Sequence, residues 1–318
     1  MKEKGARGKP GGAGPGTAAG AGGFRAGTVA ILGRPNAGKS TLLNRILGQK
    51  LAITTPKPQT TRHRILGIWN GKNAQIVFLD TPGVHQAKKA LNVAMVRAAF
   101  SAMTGADVLV LMVEAGRPEG REEELLVREA VKAKVPIVLA INKVDIVNKA
   151  LLLPQIEAWS RRLPGAPIVP ISALTGDGLP VLLDEILARL PEGSPFYPPD
   201  QITDQPERFF AAEIIREKIF QRTGEEIPYA CAVTIEDWKE DPASKRVTIS
   251  AVIHVEKDSQ KAIVIGKGGA KLKAIGTEAR LDLEAFLERR VHLSLWVKVD
   301  KNWTRNEREV RLLGYESG

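Results

Sequence analysis

Short apolar runs alternate with longer amphipathic stretches from residue 28 to 190. "TVAIL", "AQIVFLD", "DVLVLMVEA", "VPIVLAINK" and "APIVPISA" end in glycine or polar residues and are too brief for helices, the signature of buried strands. The segments near 40–48, 90–104, 121–133, 149–162 and 178–190 are amphipathic, which predicts a helix after most strands. Near-continuous apolar strands joined by helices imply a mostly parallel sheet covered on both faces. "RILGIWN" (64–70), separated from "AQIVFLD" by an Asn70-Gly71 turn, predicts one added antiparallel strand.

The pattern changes near residue 200. Residues 191–206, "PEGSPFYPPDQITDQP", hold five prolines in sixteen positions and predict a stiff linker. Beyond it "ERFFAAEIIREKIFQRTG" is helical, while "YACAVTIEDW" and "KRVTISAVIHVEK" alternate as strands. "SQKAIVIGKGGAKLKAIGTEARLDLEAFLERR" is two helices broken at glycines, "VHLSLWVKVDK" is a third strand, and a short tail helix follows from 303. The expected fold is therefore an α/β domain over 27–190 and a smaller α+β domain over 207–318. Residues 1–26 are rich in Gly, Ala and Pro, with Phe24 the sole large apolar residue after Met1. They cannot bury enough surface to fold and are expected to form a disordered arm. They also lack the apolar core of a signal peptide, and no apolar run in the chain reaches the length of a spanning helix.

Composition adds less than its distribution does. The net charge of +10 invites a nucleic-acid reading. Residues 1–27 carry +4, whereas residues 204–318 hold twenty charges of each sign. Within that neutral part, residues 257–273 contain five lysines and one acid, so positive charge is concentrated around one glycine-rich turn. The single Cys231 excludes an internal disulfide and a thiolate zinc site; in "YACAVTIEDW" it reads as a buried strand residue.

"GRPNAGKST" fits G-x-x-x-x-G-K-[ST] through Gly33, Gly38, Lys39 and Ser40, after a strand and before the helix "TLLNRILG", the context in which the motif holds phosphates. The loop residues Gly33, Arg34, Pro35, Asn36, Ala37, Gly38, Lys39, Ser40 and Thr41 are thus nucleotide-binding candidates. Lys39 would reach the β- and γ-phosphates and Ser40 a Mg²⁺ ion. "DTPG" places Asp80, Thr81, Pro82 and Gly83 at a strand end, Asp80 to hold the Mg²⁺ shell and the Gly83 amide to face the γ-phosphate. "NKVD" supplies Asn142, Lys143 and Asp145, with Asp145 pairing with the N1–H and exocyclic amine that guanine has and adenine lacks. "SAL" adds Ser172, Ala173 and Leu174, with the Ala173 N–H for the guanine carbonyl. These stations in register point to GTP rather than ATP.

Between them, "TTPKPQTTRHR" (54–64) suits a switch segment that orders when a threonine meets Mg²⁺. Thr61 is assigned that contact, with Thr60 left as the alternative, so the metal set is Ser40, Thr61 and Asp80 and the catalytic set Lys39, Thr61 and Gly83. His63 and His85 lie in the two switch segments, His85 as a solvated loop residue. The residue after "DTPG" is Val84, which cannot orient a water, so slow intrinsic hydrolysis is expected.

"GKGGAKLK" is not a second nucleotide loop, because no Ser or Thr follows a Gly-Lys pair and the turn lies between helices. A Gly-x-x-Gly loop in that position matches the KH module, which clamps about four nucleotides. Ile265, Gly266, Lys267, Gly268, Gly269, Lys271 and Lys273 are the RNA-binding candidates, with Ile263, Ile265, Leu272 and Ile275 as an apolar floor for bases. Taken together, this motif set, "TTRHR", the Pro-rich linker, "ITD…RF…AEIIREKIF…GEEIPY" and the KH pattern resemble the Era family of ribosome-associated GTPases over residues 28 to about 312.

The resemblance implies a P-loop GTPase domain followed by a type II KH domain, with GTP or GDP and Mg²⁺ as ligands. It further implies a cytoplasmic monomer that binds the 3′ end of small-subunit ribosomal RNA, and the small subunit itself, during maturation. Similar proteins touch the inner membrane peripherally; the basic stretch 289–311, with seven Lys/Arg against three acids, and the arm are the parts that would contribute. The competing reading is a constitutive RNA-binding or membrane-associated module with a largely structural GTPase domain. Asn36 followed by Ala37 matches GTPases that use K⁺ to offset phosphate charge. On that reading GTP turnover slows when Na⁺ replaces K⁺, and equal rates in the two salts count against it.

Overall fold

The computed structural model describes residues 23–84, 89–224, 226–241, 243 and 245–315. The expected disordered arm falls mostly outside these residues, as does His85.

Among the described residues the first domain builds β1 (Arg25–Gly33), α1 (Lys39–Leu47), β2 (Ile65–Gly71), β3 (Ala74–Asp80), α2 (Ala90–Thr104), β4 (Val108–Glu114) and α3 (Arg121–Lys132). It continues through β5 (Ile137–Asn142), α4 (Leu152–Arg162), β6 (Ile168–Pro170) and α5 (Leu179–Leu187). The strand order is β2-β3-β1-β4-β5-β6, parallel except for β2, which pairs antiparallel with β3. Alternation along the strands feeds two cores. Ala30, Leu32, Val77, Leu79, Leu109 and Leu111 face α2, α3 and α4 through Ala99, Leu126 and Trp159. Val29, Ile31, Ile76, Phe78, Val108 and Val110 face α1 and α5 through Leu42, Leu43, Leu182 and Ile186. The chain reverses its winding at β1, which lies between β3 and β4, so the loop after β1 opens at the crevice where such sheets bind ligands.

The second domain has the order expected of a type II KH fold: α6 (Glu207–Arg222), α7 (Ile227–Ala230), β7 (Ala232–Asp241), β8 (Arg246–Val255), α8 (Asp258–Ile265), α9 (Ala270–Leu287), β9 (Arg290–Val299) and α10 (Glu307–Leu312). β8 pairs antiparallel with β7 and parallel with β9. α6 and α9 cover one sheet face, with Ile215, Ile219, Ile253, Val264, Ile275 and Ala279 in the core between them.

Four boundaries differ from the sequence reading. β1 begins at Arg25, inside the expected arm, because the Arg25 guanidinium reaches the Leu190 carbonyl at 2.6 Å and its backbone bridges Glu192. "YACAVTIEDW" enters its strand only at Ala232; Pro228 near the start of the short α7 favours a helical turn, and Cys231 is buried just ahead of the strand. The tail opens with a 3₁₀ turn at Trp303–Arg305 before α10. The expected stiff linker, residues 191–206, lies along the first sheet. Ile202 O accepts from Ile68 N at 2.8 Å and Thr203 Oγ1 donates to Leu66 O at 2.7 Å, which pairs the otherwise open edge of β2.

Gln75 fastens this segment. Its side chain is fully buried; Oε1 accepts from Phe196 N and Tyr197 N at 2.7 and 3.0 Å, and Nε2 donates to Tyr197 O at 2.8 Å. Gln75→Ala would leave these backbone groups without partners and cost about 2–3 kcal/mol, read as a lowered urea midpoint for the first domain.

Candidate functional site

The phosphate loop is held in a conformation that few residues accept. Gly38 has φ +98°, and a Cβ there would lie 2.2 Å from the Asn142 amide nitrogen. Gly83 meets the loop from the other side, where a Cβ would fall 2.5 Å from Pro35 N. Val84 N donates to Gly33 O at 3.3 Å and its side chain is fully buried, so the DTPG turn is pinned against the loop by backbone and packing. The resulting cavity, about 340 Å³, is lined by Pro35, Asn36, Gly38, Lys39, Ser40, Thr41 and residues of the 53–61 segment.

Lys39 Nζ curls onto the carbonyls of Gly33 and Arg34 at 3.1 and 2.9 Å. Burial pushes its ammonium down to about 8, with Asp80 opposing that shift. The converse holds at Asp80, where burial lifts the carboxyl to about 6 against the pull of Lys39. Asp80 Oδ2 accepts from Ser40 Oγ at 2.7 Å, and Ser40 Oγ lies 2.7 Å from Thr61 Oγ1. Asp80 Oδ1 is buried with no hydrogen-bond partner. Two hydroxyls and a carboxylate with a vacant oxygen are the hard oxygen set that Mg²⁺ takes, so the residues present fit that ion. Thr60 turns away: its Oγ1 donates to Lys57 O at 2.8 Å and lies 2.7 Å from Thr55 Oγ1. Of the two threonines, Thr61 is the one that lies against Ser40 and, through it, Asp80.

Other candidates take different places. The Arg34 guanidinium pairs with Glu122 and Glu123 at 2.9 and 3.0 Å on α3, so the loop gains its carbonyl but not its charge. Thr81 is buried, its hydroxyl donating to Ile31 O. Asn142 is a clamp before it is a reader: Nδ2 donates to Ala37 O at 2.7 Å and Oδ1 accepts from Ala173 N at 2.9 Å, leaving one amide hydrogen for a base. Ser172 is buried and its hydroxyl caps Thr175 N at 3.1 Å. Asp145 is exposed on a 3₁₀ turn with its carboxylate available, and Lys143, at φ +70°, is steadied by Glu114 at 3.0 Å. Glu114 went unnoticed in the sequence because it ends an ordinary apolar strand. Leu174 is 68% exposed beside this turn, and its carbonyl accepts from Arg45. Asn36 Nδ2 donates to Pro56 O at 2.9 Å, tying the loop to the switch segment.

The second glycine loop joins α8 to α9. Gly266, Gly268 and Gly269 have φ of +72°, +59° and +80°, values that L side chains rarely adopt. A Cβ at Gly266 would strike the Lys271 Cβ at 2.7 Å, whereas Gly268 and Gly269 face open space. No side chain caps the N-terminus of α9, which leaves its first amides to an anion. Lys267 and Lys273 are exposed and Lys271 and Ile265 half-buried. Beside the loop runs a groove of about 410 Å³ lined by Leu272, Lys273, Gly276, Arg280, Leu293 and Leu295. This differs from the expected floor: Ile275 is fully buried in the core and Ile263 is 42% exposed. Leu293 and Leu295 come from β9, adjacent to α9 only in the fold, and Gly276 lines the groove beside Leu295.

The chain matches two families: residues 28–143 the 50S ribosome-binding GTPase family, and residues 226–304 the KH domain. It is 53% identical over 293 residues to the GTPase Era of Syntrophus aciditrophicus, covering 92% of this chain and 95% of that protein. It is 51% identical over 292 residues to the GTPase Era of Geobacter metallireducens, covering 92% and 98%. The fold matches a crystal structure of a variant Era from Aquifex aeolicus bound to GDP·AlF4⁻, with a TM-score of 0.88 and 45% identity over 92% of this chain and 99% of that one. It matches equally, at the same TM-score, identity and coverage, an Era in complex with MgGDPNP and nucleotides 1506–1542 of 16S ribosomal RNA.

The geometry separates the two threonines experimentally. If Thr61 is the metal ligand, Thr61→Val raises the Mg²⁺ concentration that half-saturates GTP hydrolysis on the order of tenfold or more, and Thr60→Val, which loses only the contacts behind it, raises it less.

Proposed function

Because this chain belongs to the Era family of GTPases, it hydrolyses GTP, and we propose that bound nucleotide controls how its KH domain takes the 3′ end of small-subunit ribosomal RNA during maturation of that subunit. The observation that carries this reading is one dipeptide. Thr61 faces Ser40 and Asp80, whereas Arg62, the next residue, is buried in the second domain. Its guanidinium donates to Cys231 O at 2.5 Å and Pro228 O at 2.7 Å and lies 3.3 Å from the Tyr315 hydroxyl. A change at the metal therefore moves a residue of the domain interface.

In this mechanism the phosphate-loop amides and Lys39 bind the β- and γ-phosphates, and the Gly83 amide faces the γ-phosphate. Ser40, Thr61 and Asp80 hold Mg²⁺, which offsets phosphate charge. Asp145 and the Ala173 N–H select guanine, and Asn142 holds the two loops together. Val84 is sealed in the core, so no side chain follows Gly83 to orient water, and intrinsic turnover is slow. A K⁺ ion beside Asn36 belongs to the same reading. The Gly266–Gly269 loop clamps the sugar-phosphate backbone while bases lie over Leu272, Leu293 and Leu295 between Lys273 and Arg280.

On this reading the protein acts in the cytoplasm, with its RNA. No helix among the described residues is long and apolar enough to cross a membrane. For peripheral membrane contact the stretch 289–311 offers less free charge than its composition suggests, because Arg289 pairs with Glu207 and Glu240 and Lys298 with Asp300. RNA is the better-supported partner.

An RNA oligomer matching that 3′ end tests the switch. Binding is expected to be about 5- to 150-fold tighter with a non-hydrolysable GTP analogue than with GDP, the usual range of coupling between sites. Gly268→Asp with Gly269→Asp abolishes binding in both states. Equal affinity with either nucleotide would sink the switch and favour the constitutive module.

A further inference from the structure

The switch segment has no regular secondary structure between Leu51 and Arg64, and Gln59 sits at φ +59°, a conformation that costs a non-glycine residue energy. Such a segment needs outside support to hold Thr61 in place, and in this structure much of that support comes from the other domain. At its start, Lys50 Nζ pairs with Glu217 Oε2 at 2.5 Å and Thr54 N donates to Glu217 Oε1 at 3.2 Å. In its middle, Lys57 Nζ donates to the carbonyls of Phe220 and Thr223. At its end, Arg62 enters the carbonyls of the α7 turn. Glu217, Phe220 and Thr223 all belong to α6 or its C-terminal cap.

We propose that α6 is a working part of the GTPase site: Lys57 and Glu217 are positioning residues that hold the 54–61 segment so that Thr61 reaches the metal. The inference rests on the assignment of Ser40, Thr61 and Asp80 as the Mg²⁺ site. Lys57 sits where a cation is favoured twice, because the last carbonyls of a helix lack intrahelical partners and carry the negative end of its dipole. Glu217 is almost fully buried, so its carboxylate is a fixed acceptor rather than a mobile surface charge. The fold of the segment joins these anchors to the site over a short distance. Lys57 O accepts from Thr60 Oγ1, and Thr55 Oγ1 meets the same hydroxyl, knotting residues 55–60 into one unit. Thr61 projects from that unit toward Ser40. Loss of the Lys57 anchor frees the knot, and Thr61 with it, while the phosphate loop gives up only the Asn36–Pro56 tie and the guanine-side turns keep their own contacts.

The test uses the full chain without RNA. Single-turnover GTP hydrolysis is followed against Mg²⁺ concentration, and GDP affinity is measured in parallel. For Lys57→Ala the half-saturating Mg²⁺ is expected to rise and the saturating rate to fall, each about tenfold, the scale on which residues behind a metal's direct ligands act. GDP affinity stays at the wild-type value, and Lys57→Arg, which keeps the cation, restores most of the rate. Glu217→Gln shifts the Mg²⁺ midpoint in the same direction. An unchanged midpoint in both variants overturns the proposal, as does a parallel loss of GDP affinity, which would mark a general folding role. Because RNA is absent, a failure of nucleotide-controlled RNA binding leaves this result standing, and the reverse holds as well.

Discussion

A buried carboxylate with one oxygen left over is the constraint on which the first domain turns. Asp80 is wholly shielded from water, opposite the buried Lys39, and its Oδ1 has no protein partner. Holding an ion in that position costs several kcal/mol unless charge and hydrogen bonds surround it. The sheet register makes the encounter unavoidable, since Asp80 pairs with Ile31 just ahead of the phosphate loop. Gly83 and Val84 then close the turn against that loop, Ser40 donates to the one satisfied oxygen, and Thr61 lies against Ser40. A nucleotide and its metal supply charges that suit this pocket, and in the proposed switch they set the position of the 54–63 segment.

The sequence was informative where a short motif and its flanking strand or helix decide the outcome. Gly38, Lys39, Ser40 and Asp80 were legible because their spacing and context leave little choice of geometry. The strand runs were legible for a similar reason: a parallel sheet buried on both faces needs unbroken apolar segments, and these are rare elsewhere. Thr61 against Thr60 was not decidable, because adjacent residues of a coil can exchange roles until a neighbouring hydroxyl is placed. Arg34 and Asn142 were assigned to ligands by motif, yet Glu122, Glu123, Ala37 and Ala173 compete for their side chains, and those partners are distant in sequence. The groove floor was legible only in part, for the same reason: Leu272 lines it, whereas Ile275 does not. Ile275 and Leu272 look alike along α9, and only the arrival of β9 decides that one enters the core while Leu293 and Leu295 complete the surface.

The linker and α6 show a further limit. Proline density marked residues 191–206 as stiff, but stiffness alone says nothing of where the segment lies; Gln75, a lone polar residue in a buried strand, was the available signal. α6 carries Glu213, Arg216, Glu217 and Lys218 in a run that composition assigns to solvent, yet all four are buried. One side of this helix packs on the KH sheet and another on the switch segment. Burial alone would raise the Glu213 carboxyl, but Arg216, bonded to it at 2.7 and 2.5 Å, more than offsets this and holds it below its usual value. A helix charged in sequence and buried in space signals a second packing partner.

That partner arrangement joins both switch segments to the second domain by unlike contacts. The 54–63 segment reaches it through charge and backbone carbonyls, and through His63, which stacks on Tyr315 with 4.6 Å between ring centroids. Burial between Tyr315 and Phe209 pushes that imidazole down to about 4, so it packs as a neutral ring at neutral pH. The helix after the DTPG turn, α2, reaches the same tail through an apolar cluster of Leu91, Met95, Trp303, Val310 and Tyr315. Tyr315 belongs to both sets. Directional polar contacts are lost over small displacements, whereas apolar contacts tolerate sliding, so movement of the first switch can release its anchors while the α2 contact still holds the domains together. Coupling of this kind is reciprocal: in the proposed switch, whatever RNA does to the packing of α6 and the tail returns to the position of Thr61, and so to the metal.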